Sequence, residues 1–340
     1  NLDEFFRVRM GFLFDQALFY PALKENKTNM TSSEQIKACE RKVKYLYKKR
    51  DKIYATNLEK MKEYGVEIVN YNDIKDKENK KFLEHYFTQE MLPLVSPQVV
   101  SKRQPFPFLN NGELYIVTQL ESKKGKRKMG IVSCSAAFDE RLIALPSTPG
   151  KFILAEEIVK KYLPVIFHGQ TVKNASIIRI IRSADIEEDD YSLQEHEDYR
   201  EMMETLIKQR RKLAPLRMEM SPGLEEIEVD MLRHFLDLSS SQVFEVESPL
   251  EFSFVFTLQD YLKSRHPELF YKRLEARNSP LVENTVPMIK QVLKHDILLS
   301  YPFESMAPFL RFLDEASRDP QVISIKMTLY RVAKNSKVWG

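Results

Sequence analysis

The chain has 340 residues, 43% of them hydrophobic and 30% charged, and a formal net charge of +3. This length allows two or three domains with their own cores, whereas the small net charge does not by itself indicate a nucleic-acid-binding protein. The two cysteines offer neither a metal-ligand spacing nor a disulfide framework, and no apolar run is long enough to span a membrane. We therefore expect a cytoplasmic protein without a membrane span, and association with a membrane surface is left open.

Residues 1–65 predict an N-terminal helical domain. Ser32 and Gln35 have the spacing of a capping box ahead of a long helix, and Gly65 is typical of a helix stop. This helix carries the basic run from Lys42 to Lys52. The run favours the solvated face of a bundle helix, and a face that guides a polyanion is the alternative.

Residues 66–278 change to short mixed elements, which predicts an α+β domain. The predicted strands lie at 66–69, 113–120, 129–134, 176–181 and 215–220, and the predicted helices at 82–91, from Tyr199 to Ile207 and at 225–238. The basic segment 123–128 predicts a hairpin turn with a solvated tip. A nucleic-acid patch is less favoured there because no aromatic residues interleave with the charges.

Residues 279–340 open a third, truncated domain. Ser305 is a candidate N-cap for a helix that must end before Asp319-Pro320, because the residue before a proline is pushed out of the α region. The following stretch from Val322 to Arg331 is strongly β in composition and predicts a strand. A helix, a short turn and a strand are typical of the start of an α/β sheet.

Basic residues follow the end of this predicted strand. Ligands of α/β sheets bind beyond the carboxyl ends of the strands, where Arg331 and Lys334 stand. Arg331 offers a planar fork for phosphate and Lys334 a point charge, so both are candidate phosphate-binding residues. Lys326 falls inside the predicted strand, which favours a structural role.

Two stretches of the chain resemble motifs of one family. The opening residues NLDEFFRVR, from Asn1 to Arg9, and the stretch from Tyr301 to Arg331, with YPFES, DP and YR in order, are similar to the long, histidine-dependent polyphosphate kinases. Further stretches similar to that family are 92–97, 178–185 and 217–220. The resemblance therefore covers essentially the whole chain.

The resemblance implies an α+β multidomain fold: an N-terminal helical bundle, a head domain, and the beginning of a phospholipase-D-like α/β catalytic domain. It implies reversible transfer of the ATP γ-phosphate to inorganic polyphosphate through a phosphohistidine, with Mg²⁺. The family places that histidine in a later H-x-K segment, and none of the six histidines here has Lys at the second following position. We expect the chain to be cut at both ends, with the catalytic histidine outside it, and therefore to be inactive alone.

The resemblance also implies roles for two residues. Asn1 is expected to contact the nucleotide near its base, and a helix N-cap is the alternative role, which does not exclude the first. Arg331 matches the arginine assigned to the phosphate and Mg²⁺ site. A guanidinium has no lone pair for a metal, so Arg331 would act indirectly through phosphate oxygens, with a surface ion pair as the alternative. No ligand is assigned to Arg7 or Arg9.

The expected partners are ATP, inorganic polyphosphate and further copies of the chain, and no nucleic acid. The sequence contains neither a P-loop nor a G-x-G-x-x-G motif, so side chains must hold the phosphates. A non-catalytic scaffold that binds polyanions or nucleic acid is the alternative from another class. A phospholipase-D-like phosphodiesterase is a further one, against which the opening signature argues.

Overall fold

The computed structural model describes residues 1–101, 105–134, 138, 140–183, 214–272 and 274–328. The chain divides into two compact units, Asn1–Arg265 and His266–Gly340. Both α-helices and β-sheets are present, so the predicted mixed α+β class is confirmed. The helix predicted from Tyr199 to Ile207 lies outside the described residues.

The first unit begins with helices, as predicted for residues 1–65. Helix α1 (Leu2–Phe5) continues through a π-helical turn (Phe6–Met10) into α2 (Gly11–Phe19), and the long α3 spans Ser32–Lys62. Two residues after the C-cap of α3, Gly65 adopts a φ of +70°, which confirms it as the stop.

The capping box of α3 lies one residue earlier than predicted. The Thr31 hydroxyl accepts from the Glu34 backbone N–H at 3.3 Å, and the Glu34 carboxylate accepts from the Thr31 N–H at 2.7 Å. Ser32 is buried and donates to Gln16 Oε1 at 2.7 Å. The predicted pair of Ser32 and Gln35 is therefore wrong, since a charged carboxylate is the stronger acceptor.

A six-stranded sheet forms the centre of the first unit, in the order β2-β4-β3-β7-β8-β9. All neighbouring pairs are antiparallel except β8 and β9. A smaller sheet has the order β1-β6-β5. The strands are β1 (Glu67–Ile68), β2 (Gln98–Val100), β3 (Leu114–Glu121), β4 (Arg127–Ser133), β5 (Leu142–Ala144), β6 (Lys151–Leu154), β7 (Thr171–Arg182), β8 (Pro215–Met220) and β9 (Val243–Glu245).

Both faces of the larger sheet are covered. Successive side chains of a strand point to opposite faces, so Ile116 on β3 packs in the core that includes α3, and Val117 in the opposite core. The second core includes helix α7. The helices after α3 are α4 (Lys77–Tyr86, extended by a π-helical turn Phe87–Met91), α5 (Ala155–Lys161), α6 (Leu163–Ile166), α7 (Glu226–Leu236) and α8 (Phe254–Arg265). The strands predicted near 66, 113, 129, 176 and 215 are confirmed, and so is the turn at 123–128.

The second unit contains helices α9 (Met288–Val292) and α10 (Ala307–Arg318). Helix α10 ends before Asp319-Pro320 as predicted, whereas its N-cap is Met306 rather than Ser305. Residues 322–328 form no strand, so the strand predicted from Val322 is wrong over these residues. A strand requires a ladder partner as well as β composition, and the described part of this unit offers only an isolated bridge between Arg277 and Glu304.

Candidate functional site

Asn1 occupies the N-cap position of α1, as the alternative role predicts. Its carbonyl oxygen accepts from the Phe5 backbone N–H at 2.9 Å, but its side chain makes no capping hydrogen bond. The residue is exposed. Its amide is therefore not used to start the helix, and it can donate and accept against a ligand.

Two residues further on, Asp3 joins the first helical turn to the large sheet. Its Oδ2 accepts from Arg179 Nη2 on β7 at 2.7 Å, and its Oδ1 accepts from Arg217 Nη2 on β8. Each carboxylate oxygen thus has its own charged donor, which is the stronger class of hydrogen bond. This contact fixes the chain two residues from Asn1.

Glu219 on β8 is the second carboxylate of the same group. It lies directly opposite Arg179 in the β7–β8 register and accepts from Arg179 Nη1 at 3.2 Å. The Tyr47 hydroxyl of α3 donates to Glu219 at 2.5 Å, and Arg50 Nη1 lies 3.7 Å from it. We call Asp3, Tyr47, Arg50, Arg179, Arg217 and Glu219 the Asp3 cluster. It joins α1, α3, β7 and β8.

The charges of the cluster determine the protonation of two members. Burial raises the pKa of Asp3, but the hydrogen bond and charge of Arg179, and then Arg217, outweigh it and lower the pKa to about 2. Burial raises the pKa of Tyr47, and the Glu219 charge raises it further. Asp3 therefore stays ionised near neutral pH, and Tyr47 stays a donor.

Arg217 is the most buried cation of the cluster, with a side chain that is 0% exposed. Its Nη2 contacts both carboxylates, whereas its Nε and Nη1 have no hydrogen-bond partner among the described residues. The guanidinium carbon lies 4.4 Å from the ring centre of Phe6. A desolvated cation over an aromatic face gains electrostatic stabilisation, so Phe6 offsets part of the missing hydrogen bonding.

The cluster brings together three stretches of sequence that were singled out separately. The opening signature supplies Asp3, the stretch 178–185 supplies Arg179, and the stretch 217–220 supplies Arg217 and Glu219. Sequence reasoning missed their pairing. The sequence carried little signal for it, because Arg217 and Glu219 alternate with apolar residues as in a half-exposed strand, and only the structure shows that they are buried.

Arg331 and Lys334 lie outside the described residues, so their expected roles in phosphate binding stay predictions. Arg9 donates to Gln35 Oε1 at 3.3 Å. Lys326 is exposed and outside any strand, which corrects its expected place inside one.

The described residues contain no group of three or more His, Cys, Asp or Glu that could hold a metal ion. Five of the six histidines lie in the described ranges, and His266 pairs with Glu268 at 3.0 Å. No helix within the described ranges is long and apolar enough to cross a membrane.

The fold and the cluster define a multidomain α+β protein whose N-terminal helix is tied by partly buried ion pairs to a mixed sheet. The family model for the polyphosphate kinase middle domain matches residues 78–258, more than half of the chain. Models for the polyphosphate kinase N-terminal domain and C-terminal domain 1 match residues 1–69 and 287–340. The chain belongs to the polyphosphate kinase family.

Curated relatives and a solved structure agree with this membership. A polyphosphate kinase from Halalkalibacterium halodurans is 30% identical over an alignment 344 positions long, which covers 99% of this chain and 48% of the relative. A polyphosphate kinase from Bacillus anthracis is 32% identical over an alignment 352 positions long, which covers 99% of this chain and 49% of the relative. The crystal structure of polyphosphate kinase from Porphyromonas gingivalis has a TM-score of 0.70 at 20% identity and covers 99% of this chain and 47% of that one, which shows the fold alone. The chain spans about half the length of these relatives.

Proposed function

We propose that this chain is the N-terminal portion of a polyphosphate kinase that transfers the ATP γ-phosphate reversibly to inorganic polyphosphate. The transfer proceeds through a phosphohistidine outside these 340 residues. The family match supports this proposal over a non-catalytic scaffold. We divide the chain into a helical domain (1–65), an α+β head domain (66–278) and the start of a phospholipase-D-like catalytic domain (279–340).

The Asp3 cluster is the observation that carries the role of Asn1 as a nucleotide-binding residue. Ion pairs to β7 and β8 hold Asp3 in place, and Asn1 lies two residues away with an amide that caps no helix. An asparagine side chain can pair with the donor and acceptor edge of adenine. Such a contact is effective only if its backbone is fixed in advance, which the cluster provides.

Arg331 is proposed to hold phosphate oxygens of the same nucleotide. Its planar fork suits two oxygens at once and spreads the charge of the group in transfer. Phosphoryl transfer depends mainly on position and charge, so these binding residues contribute to the rate as well as to affinity. Mg²⁺ belongs to the same proposal, and Arg331 would act on the phosphate oxygens and not on the metal, because a guanidinium has no lone pair to give. A homo-oligomer in the cytoplasm is part of the same proposal.

The test uses the complete gene product beside the polypeptide that ends at Gly340. With ATP labelled in the γ-phosphate, the complete protein should form an acid-labile phosphoenzyme and long polyphosphate, and the 340-residue polypeptide should form neither. Synthesis by the shorter polypeptide would contradict the placement of the histidine. Binding of duplex DNA with a steep salt dependence, without preference for polyphosphate, would favour the scaffold.

A further inference from the structure

The outer face of α3 carries a row of basic side chains. Its members are Lys37, Arg41, Lys44, Lys48 and Lys52, and we call them the basic stripe. Their spacing of four, three, four and four residues places them on one side of a helix over a length of roughly 22 Å. All five are exposed.

The members of the basic stripe form no close ion pairs among the described residues. Within the described ranges, none of its five members lies within 4.0 Å of a carboxylate oxygen. The two acidic residues between Lys37 and Lys52 point elsewhere. Glu40 is only 4% exposed, and Asp51 accepts from the Ser248 backbone N–H at 3.2 Å and its hydroxyl at 2.5 Å. The face is therefore predominantly positive, and the exposed Glu34 lies one turn before Lys37 at its N-terminal end.

The buried face of α3 fixes the helix backbone that carries the basic stripe. Ile36, Val43 and Tyr47 are buried in the core of the first unit, and Tyr47 is also bonded to Glu219. The helix is anchored to the core, so the backbone positions of the five cations lie in a straight row before a ligand binds. Less conformational entropy is then lost on binding.

We propose that the basic stripe binds an extended chain of inorganic polyphosphate, at a place separate from Asn1 and the Asp3 cluster. A straight row of four lysines and one arginine suits a linear polyanion, because each cation interacts with the repeating charges and releases counterions without reading a sequence. Tyr45 is the exposed aromatic side chain beside the middle of the stripe, and a single ring offers a stacking place for one base rather than for a run of bases, which disfavours single-stranded nucleic acid. The choice of polyphosphate rests on the proposed function.

The hairpin turn at 123–128 supplies a matched control. It also carries five positive charges, but three of them lie on a short turn and two at the start of β4, where Arg127 Nη1 lies 3.8 Å from Glu225. Lys123 and Lys124 are exposed, as are Arg41 and Lys48 at the middle of the stripe. The double variants R41E/K48E and K123E/K124E therefore change the net charge equally at solvated positions.

The experiment measures binding of long polyphosphate to the complete gene product at several salt concentrations. R41E/K48E should weaken binding by about tenfold or more and reduce the slope of log affinity against log salt by about two, because two phosphate contacts are lost. K123E/K124E should stay within about twofold of the unmodified protein, since its charges lie off the stripe. Equal losses in both variants, at unchanged thermal midpoints, would overturn the inference.

A chain-elongation assay separates this inference from the proposed function. R41E/K48E should raise the KM for long polyphosphate and leave the KM for ATP and for tripolyphosphate unchanged, because a short chain cannot cover the stripe. If R41E/K48E synthesised polyphosphate normally with an unaltered KM for long polyphosphate, polyphosphate binding by the basic stripe would be contradicted and the proposed kinase function would not. If the unmodified protein synthesised no polyphosphate, the proposed kinase function itself would be contradicted. Duplex DNA that competes as strongly as polyphosphate of equal charge would overturn the choice of ligand.

Discussion

The first unit contains two buried groups of arginine and carboxylate that differ in what they adjoin. In the Arg141 group, the guanidinium donates to Glu156 at 2.5 Å, also contacts Glu251, and lies 5.3 Å from the Phe254 ring centre. The Asp3 cluster has the same chemistry, including a cation over an aromatic ring. It differs in joining three stretches of family-like sequence and in lying two residues from Asn1. Burial and ion pairing alone therefore do not identify a functional site. The Arg141 group and the Asp3 cluster differ in their position along the chain, because only the cluster lies next to Asn1, the proposed nucleotide-binding residue.

Removal of one carboxylate from each group should give the largest effect. Glu219→Ala leaves three arginines of the Asp3 cluster with one carboxylate, so we expect the free energy of unfolding to fall by about 3–5 kcal/mol. Glu156→Ala should cost less, because it leaves one arginine, Arg141, with one carboxylate, Glu251. Urea unfolding of both variants measures the difference. A larger loss for Glu156→Ala would show that the Asp3 cluster is the weaker of the two.

Loss of a single hydroxyl should give a smaller effect. Tyr47→Phe removes the 2.5 Å hydrogen bond to Glu219 and keeps the ring that packs 5.3 Å from the Phe244 ring centre. A hydrogen bond to a charged group contributes about 1.5–3 kcal/mol, so stability should fall by that amount. Tyr54→Phe is the matched control on α3, with its ring against Phe252, and should be nearly neutral. Equal costs for both would contradict a role of the Tyr47 hydroxyl.

ATP affinity should depend on the Asp3 cluster and not on the Arg141 group. Asp3→Asn removes the charge that ties the first helical turn to Arg179 and Arg217, and ATP affinity should fall by about tenfold, or roughly 1.4 kcal/mol. Asp3→Glu should recover part of it by restoring the charge. Glu156→Ala should lower stability without changing ATP affinity. If Glu156→Ala weakened ATP binding as much as Asp3→Asn, the difference between the two groups would be lost.

Acid should weaken the Asp3 cluster over a narrow range. The pKa of Asp3 is about 2 in the folded chain and 3.8 ordinarily, so its stabilisation is fully present above the ordinary value and is lost as the pH falls from about 4 to about 2. The unfolding midpoint should therefore fall more steeply over this range than in Asp3→Asn, which cannot titrate at this position. Parallel pH curves for the two proteins would contradict the lowered pKa.

The sequence predicted what local periodicity and turn chemistry determine. The helices of residues 1–65, the hairpin around Gly125 and the end of α10 before Pro320 are of this kind. It did not predict contacts between distant residues: Asp3 pairs with Arg217, 214 positions away. The prediction of a strand from Val322 was wrong over residues 322–328 for the same reason, because β composition does not determine which segment pairs with the strand. The box of Thr31 with Glu34 was missed by one residue because two overlapping pairs fit the pattern.

The most direct test of the account is the affinity of Asn1→Ala in the complete protein for ATP and for inorganic tripolyphosphate, beside Arg331→Ala. Asn1 is proposed to bind the base and Arg331 the phosphates. Asn1→Ala should therefore weaken ATP binding and leave tripolyphosphate binding unchanged, whereas Arg331→Ala should weaken both. ATP binding that is unaffected by Asn1→Ala would contradict the account.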